Sequence, residues 1–294
     1  FNNSILLGAA GQGGAAEFDS TLIGNSIWLD GSADCLTKSL SSGAAQSRLI
    51  ISTWVQRNTF SGAAIYAIVS SIGGAQSSNA NILQFENDII SVRLENTSGA
   101  TSSVYQTSAV YGWYHVLLSV DGNVSASMKL FVNGIEQETS ITTGSAFTGS
   151  LGSFGHSGAT TMIGKYNNTV SNFYFLPGYL TQTTMIVGQS IQNGDLAVSD
   201  FLDTFTFGTN GSQVIPKKDS NIAALASAAG GNSFCLDFAN SSDLGNDISS
   251  NNNDFTPTSM SSANQSSNTP SLSYPLLNPL SAAFSTTLSE GNTR

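Results

Sequence analysis

Trp113-Tyr114-His115-Val116-Leu117-Leu118-Ser119-Val120-Asp121-Gly122, followed closely by Met128-Lys129-Leu130-Phe131-Val132-Asn133-Gly134, decides the fold class. In both runs polar residues alternate with apolar ones, the spacing of strands that bury one face and wet the other. Each run closes on Asp-Gly or Asn-Gly, the dipeptides that accept the left-handed backbone of tight turns. No helical period competes, so the pair reads as neighbouring antiparallel strands.

The same grammar extends outward. Upstream lie Leu49–Val55, Ala64–Val69, Ile82–Phe85 and Ile89–Leu94, the last two flanking the hairpin signal Glu86-Asn87-Asp88, and downstream lie Ile163-Gly164 and Phe173–Leu176. Short β-type runs separated by Gly, Asn, Ser and Asp clusters predict a mainly β, antiparallel two-sheet jelly-roll sandwich over residues 26–183. Residues 1–25 are rich in Gly and Ala and read as an extended arm. Residues 184–240 suggest short helices at Thr181–Gln192 and Ile222–Ala229 and a returning strand at Phe234–Phe238. Residues 241–294 are mostly Ser, Asn, Thr and Pro, too poor in apolar residues for a core of their own, and predict an extended tail ordered only against another surface and leading into a further domain.

Composition narrows the function. Nine Lys and Arg against 19 Asp and Glu give a net charge of -10, which offers no basic surface for phosphates or anionic headgroups. Nucleic acid is excluded as a partner on this ground. Charged residues make up only 10% of the chain, whereas Ser (48), Thr (26) and Asn (26) together are about a third, which implies an uncharged polar surface suited to protein or sugar neighbours. The opening Phe1-Asn2-Asn3-Ser4 has no basic n-region, and Gly62–Ala75 is too short and glycine-broken to cross a bilayer, so neither a signal peptide nor membrane insertion is expected. Cys35 and Cys235 leave room for one long-range bridge but not for a disulfide framework.

Constellations that carry chemistry are sparse. Glycoside hydrolysis needs two carboxylates flanking a bond; Glu86 and Asp88 are the sole strand-borne candidates, and a polar turn explains them better. His115 falls inside a strand, where a hydrogen-bonded structural role is expected, and His156 lies in a Gly/Ser loop. No Cys/His cluster has metal-ligand spacing. Asp237, Asn240, Asp243, Asn246, Asp247, Asn251, Asn252, Asn253 and Asp254 could supply oxygens to Ca²⁺, which takes 6–8 of them, but turn capping is the reading the spacing favours. Trp28, Trp54 and Trp113 are expected in the core, while Tyr105, Tyr111, Tyr166 and Tyr179 lie nearer loops. No catalytic, ligand-binding or metal residue is assigned, and no cofactor, calcium being the one ion kept open.

The combination Thr53-Trp54-Val55-Gln56-Arg57, Trp113-Tyr114-His115-Val116, Val120-Asp121, Lys129–Gly134 and Met162-Ile163-Gly164 resembles a laminin-G/pentraxin-like member of the concanavalin A-like sandwich superfamily over residues 26–183. A narrower similarity, to virion structural or tail-fibre proteins of tailed (marine) bacteriophages, rests on Phe1–Gly11, Phe175–Thr181, Phe234–Pro257, Leu277–Leu280 and Thr287–Asn292. The family's calcium ligands do not map cleanly here. The resemblance implies a non-enzymatic virion component, a fibre or capsid-surface protein, with the particle surface as its location. Its partners would be other virion proteins, copies of itself in a homo-oligomer, and a host-surface glycan. A secreted or cell-surface carbohydrate-binding adhesin is the alternative, and a glycan-degrading enzyme stands behind it.

Overall fold

The computed structural model describes residues 22–58, 65–75, 80–86, 89–99, 101–108, 112–138, 140–167, 173–207 and 211–271. Among these, two antiparallel sheets face each other. The first runs β10 (Ile135–Glu136), β9 (Met128–Val132), β8 (Tyr114–Asp121), β3 (Arg48–Arg57), β15 (Pro177–Val187), β1 (Ser26–Asp30) and β20 (Gln265–Ser266), with β18 (Phe234–Leu236) also paired to β15. The second runs β11 (Ser140–Gly144), β7 (Thr101–Ser108), β6 (Ile89–Glu95), β5 (Ala80–Glu86), β4 (Ile65–Gly73), β12 (Ala159–Ile163), β2 (Cys35–Ser39) and β19 (Thr256–Thr258). Two ribbons, β13 (Lys165–Asn167) with β14 (Phe173–Phe175) and β16 (Leu202–Phe207) with β17 (Gly211–Pro216), complete the strands. The jelly-roll sandwich expected from the alternating runs is the fold observed.

The main core lies between the sheets. Leu49, Ile51 and Val55 of β3 and Tyr114, Val116, Leu118 and Val120 of β8 point inward against Leu83 and Phe85 of β5 and Ile90, Val92 and Leu94 of β6. Asn133 (φ 49) and Gly134 (φ 78) both take the left-handed backbone and close β9 onto β10 with Ile135 opposite Val132, as the Asn-Gly signal requires. Glu86 stands opposite Ile89 across the expected hairpin; Asn87 and Asp88 lie outside the described residues.

The first sheet departs from the one-wet-face expectation. Every residue of β8 is buried, because the chain beyond the sandwich folds back over the outer face. Ile50, Leu117, Phe131, Ile186 and Cys235 form a second core there with Phe201 and with Ile222, Ala223 and Ala226 of α1 (Asp219–Ala229). The polar positions of β8 are also covered and hydrogen-bonded. Ser119 Oγ accepts from the Ile191 amide at 2.9 Å. Asp121 accepts from Arg48 Nε at 3.1 Å, Ser190 Oγ at 2.9 Å and the Asn123 amide at 3.0 Å. Alternation is therefore real, but it separates two buried environments.

The helix expected at Thr181–Gln192 is instead strand β15 up to Val187, followed by a turn at 191–194. A bulge between Thr181 and Thr184, with Gln182 at φ 48, shifts the register and breaks the period-2 pattern in the sequence. The helix expected at Ile222–Ala229 is observed as α1.

Residues 241–271 lie against the sandwich itself. Asp247 accepts from the amides of Cys235, Ser249 and Asn253, each at 2.9 Å, and from Ser249 Oγ at 2.8 Å. Asn253 Nδ2 donates to the carbonyls of Gly231 and Ser233, each at 2.9 Å, so this segment is stitched to β18 by one carboxylate and to the turn before it by a neutral amide. β19 then extends the second sheet beside β2, and β20 extends the first beside β1. The arm and tail sequences at 1–21 and 272–294 lie outside the described residues. Cys35 on β2 and Cys235 on β18 are both buried free thiols, one in each sheet.

If the outer face is a second core, Leu117→Ala and Leu118→Ala will each lower unfolding free energy by about 2–4 kcal/mol. Urea denaturation checks this, and a solvent-facing Leu117 would change stability by less than about 0.5 kcal/mol.

Candidate functional site

Near one end of the first sheet the covering stops, and aromatic and amide side chains come to the surface. Register places Trp28 of β1 opposite Tyr179 of β15, and Tyr179 opposite Gln56 of β3. Adjacent pairs of this kind hold their Cβ atoms about 4.5–5.5 Å apart. The Trp113 ring, at the entry to β8, reaches within 6.2 Å of the Tyr179 centroid at an interplanar angle of 52°. Trp28 is 39% exposed, and Tyr179, Gln56 and Trp113 are half-buried.

Asn268 ties the row together. Its Nδ2 donates to Gln56 Oε1 at 2.7 Å, and its Oδ1 accepts from Trp113 Nε1 at 3.2 Å. Gln56 thereby has its oxygen committed, while among the described residues its Nε2 meets no hydrogen-bond acceptor. Gly178 sets the height of the row: a Cβ there would stand 2.2 Å from the Gln56 carbonyl oxygen, so only glycine lets β15 lie so close to β3 beside Tyr179. The result is a shelf of aromatic surface with amide donors, chemistry suited to an apolar ring edged by hydroxyls.

A second feature lies where α1 meets β18. Asp219, Ser220, Ala223, Ala224, Ser227, Asp237, Ile248, Ser249 and Ser250 line an open cleft of about 550 Å³. Burial pushes the Asp219 carboxyl up to about 7; a 2.9 Å hydrogen bond from Gln182 Nε2 opposes this, and the charge of Asp237 adds to it. Asp237 is raised as well, again chiefly by burial. Two carboxyls that resist ionisation in one cleft are an acid–base feature that sequence reading missed, since Asp219 and Asp237 meet only through the return of β18.

The candidates named from sequence fall elsewhere. Glu86 Oε2 accepts from Gln84 Nε2 at 3.0 Å and Ser91 Oγ at 3.2 Å, which ties it into its own hairpin. His115 is fully buried, with Nε2 2.8 Å from Ser52 Oγ, and burial pushes its pKa down to about 3. It is a neutral ring that no substrate reaches. His156 Nδ1 donates to the Ser157 carbonyl at 2.7 Å in its loop. Asn240, Asp243 and Asp247 cap nearby backbone amides, and among the described residues no group of three His, Cys, Asp or Glu is placed to hold a metal. Core packing holds for Trp54, at 2% exposure, but not for Trp28, because β1 carries Trp28 on the uncovered part of the outer face. Tyr166 is buried and stacks on Tyr174 with centroids 6.0 Å apart; Tyr111 lies outside the described residues.

The family described as Laminin_G_3, the concanavalin A-like lectin/glucanases superfamily, matches residues 30–185, just over half of the chain. The chain belongs to this superfamily. A search of curated proteins returns no match. Among solved structures, the native heptameric SAP-like pentraxin of Limulus polyphemus is 16% identical at a TM-score of 0.41, covering 68% of this chain and 97% of the pentraxin. Domains LG4-5 of the mouse laminin alpha1 chain are 13% identical at 0.41, covering 61% of this chain and 44% of that one. The CBM40 of the Ruminococcus gnavus IT-sialidase, bound to alpha2,3 sialyllactose, is 16% identical at 0.37, covering 59% and 96%. At these identities the likeness concerns the path of the chain and nothing these proteins bind.

Within this lectin/glucanase-type sandwich, Gln56, Trp113 and Tyr179 belong to the matched segment, whereas Trp28 and Asn268 come from outside it. The cleft is likewise an addition, built by the chain beyond residue 185. Asp219 gives stability a distinctive pH dependence. The unfolded carboxyl ionises near 3.8 and the folded one near 7, so the folded state holds the extra proton between these values and loses stability as pH rises through that window. We expect Asp219→Asn to flatten this decline and to be the more stable protein at pH 8, by about 1–2 kcal/mol. Equal slopes in urea titrations from pH 5 to 8 would show that Asp219 ionises normally.

Proposed function

We propose that this chain is a non-enzymatic virion surface protein, a fibre or capsid-surface component of a tailed phage, that presents a laminin-G-like sandwich to a host-surface glycan. The observation that carries the binding half is the Trp28–Tyr179–Trp113 row with Gln56 Nε2 open beside it. Aromatic faces cover the C–H faces of sugar rings, and amides exchange hydrogen bonds with hydroxyls at little desolvation cost compared with charges. Membership of a superfamily that includes lectins supports the same reading.

The virion half rests on the sequence resemblance to phage structural proteins and on the low charge of the chain. A half-open shelf of this size gives modest affinity at one site, and display of many copies on a particle supplies avidity. Light scattering on the purified protein is expected to give a mass of two or more times the 30.5 kDa of one chain; a monomer would turn the reading toward a tethered adhesin module.

Trp28→Ala and Tyr179→Ala are each expected to weaken retention on a glycan array about tenfold or more, roughly 1.4 kcal/mol. The melting temperature should hardly move for the exposed Trp28. Glu86→Gln should leave binding unchanged. Release of reducing ends from host envelope polysaccharide, abolished by Asp219→Asn or Glu86→Gln, would replace this reading with an enzymatic one.

A further inference from the structure

We infer that the glycan held by the shelf is uncharged, and that it is an oligosaccharide lying across the strands rather than a single terminal sugar. The inference rests on the sugar-binding reading above and adds the ligand's charge and length. It begins from where the cations are. Of nine Lys and Arg residues, Arg294 lies outside the described residues and none of the others is on β1, β15 or β8. Arg48 is engaged with Asp121 and Asn193, Arg93 with Glu95, Lys129 with Glu136 and Lys217 with Asp203. Lys38 lies on β2 of the second sheet, the Lys165 ammonium on β13 stands 5.3 Å from the centroid of the Phe175 ring, and Lys218 precedes α1.

Arg57 follows Gln56 directly and would be the natural anion receptor, but alternation turns it to the opposite face. It is 4% exposed, with its guanidinium 4.5 Å from the Phe85 ring centroid in the core between the sheets. Among the described residues, the ionised group beside the row is an anion. Asp30 lies two residues after Trp28 on the same face of β1, both exposed, which puts them about 6–7 Å apart along the strand. Slight burial pushes the Asp30 carboxyl up, but hydrogen bonds from Ser32 Oγ and from the amides of Ala33, Ser32 and Asp34 outweigh it and hold the group well below the usual carboxylate range. A sialic acid, uronate or sulfate on the shelf would meet this charge, and β1, β15, β3 and β8 bring no outward-facing Lys or Arg to the level of the row. Among the described residues, a neutral sugar on the row meets ring faces and the Gln56 amide.

Length follows from register. The row crosses β1, β15 and β3 and reaches the start of β8, with strands about 4.8 Å apart. One pyranose covers one ring; contact with Trp28, Tyr179 and Trp113 together takes several linked residues.

The test uses the full chain on an array that carries the same oligosaccharide backbones in neutral, sialylated and sulfated forms, and in lengths from one to six sugars. It is read at 20 mM and 500 mM salt with wild type and Trp28→Ala. We expect neutral tetrasaccharides and longer to be retained best and their anionic forms to bind at least about threefold more weakly at low salt. That deficit should shrink at high salt, where a charge about 6–7 Å away is screened. Retention should be lost in Trp28→Ala. Anionic forms bound more tightly than neutral ones through Trp28, or monosaccharides bound as well as tetrasaccharides, would overturn the inference while leaving the sugar-binding reading in place. No glycan retained by wild type and lost in Trp28→Ala would overturn both.

Discussion

The rest of the structure depends on the burial of both faces of the β3–β8–β15 sheet. Its inner face is an ordinary sandwich core, but its outer face carries Ile50, Leu117, Ile186 and Cys235, which cannot be left in water without forfeiting the burial that stabilises them. The chain beyond residue 185 meets that need. It returns as α1 and β18, and then continues through residues 241–271 to lend a strand to each sheet. With few charges available, the contacts are made by hydroxyls and amides. Asp247, Asn251 and Asn253 tie the segment to the backbone of Ala226, Gly231, Ser233 and Cys235. Much of the Ser, Thr and Asn content is therefore interior structure and not only surface wetting, as buried Ser52, Ser119, Ser190 and Thr183 also show.

The same covering decides where function can sit. Trp54 and His115, on the outer face, are sealed off, and the Ser52–His115 pair with them. Two residues further along β3 the cover ends, and Gln56 emerges beside Tyr179 and Trp28. Asn268 marks the boundary, since it belongs to the covering segment and bonds to both Gln56 and Trp113. The segment thus serves as part of the core at one level of the sheet and as part of the binding shelf at the next.

How much of this was legible in the sequence depends on the range of the cause. Hairpins such as Val132-Asn133-Gly134-Ile135, the alternating strands and the helix at Ile222–Ala229 are written in local patterns, and the structure holds them. The run Thr181–Gln192 misleads because the bulge at Gln182 interrupts alternation inside a strand. Alternation in β8 is equally plain, but a sequence does not say whether water or a later segment of chain covers the second face. The shelf was illegible for a stronger reason: residues 28, 56, 113, 179 and 268 share no local motif, and only strand order brings them together. Trp28 has the residue type of a core position, and only its face on β1 makes it a surface one.

The central claim is that residues 219–271 fold with the sandwich as one cooperative unit and are not an appended tail. Native-state hydrogen exchange measures this directly. The account predicts that the amides of Ile222, Cys235, Ile248 and Phe255 exchange with the same opening free energy and denaturant dependence as those of Ile51 and Leu118. Rapid, denaturant-independent exchange across 219–271 beside a protected sandwich would contradict it, and with it the wall that Asn268 gives to the shelf.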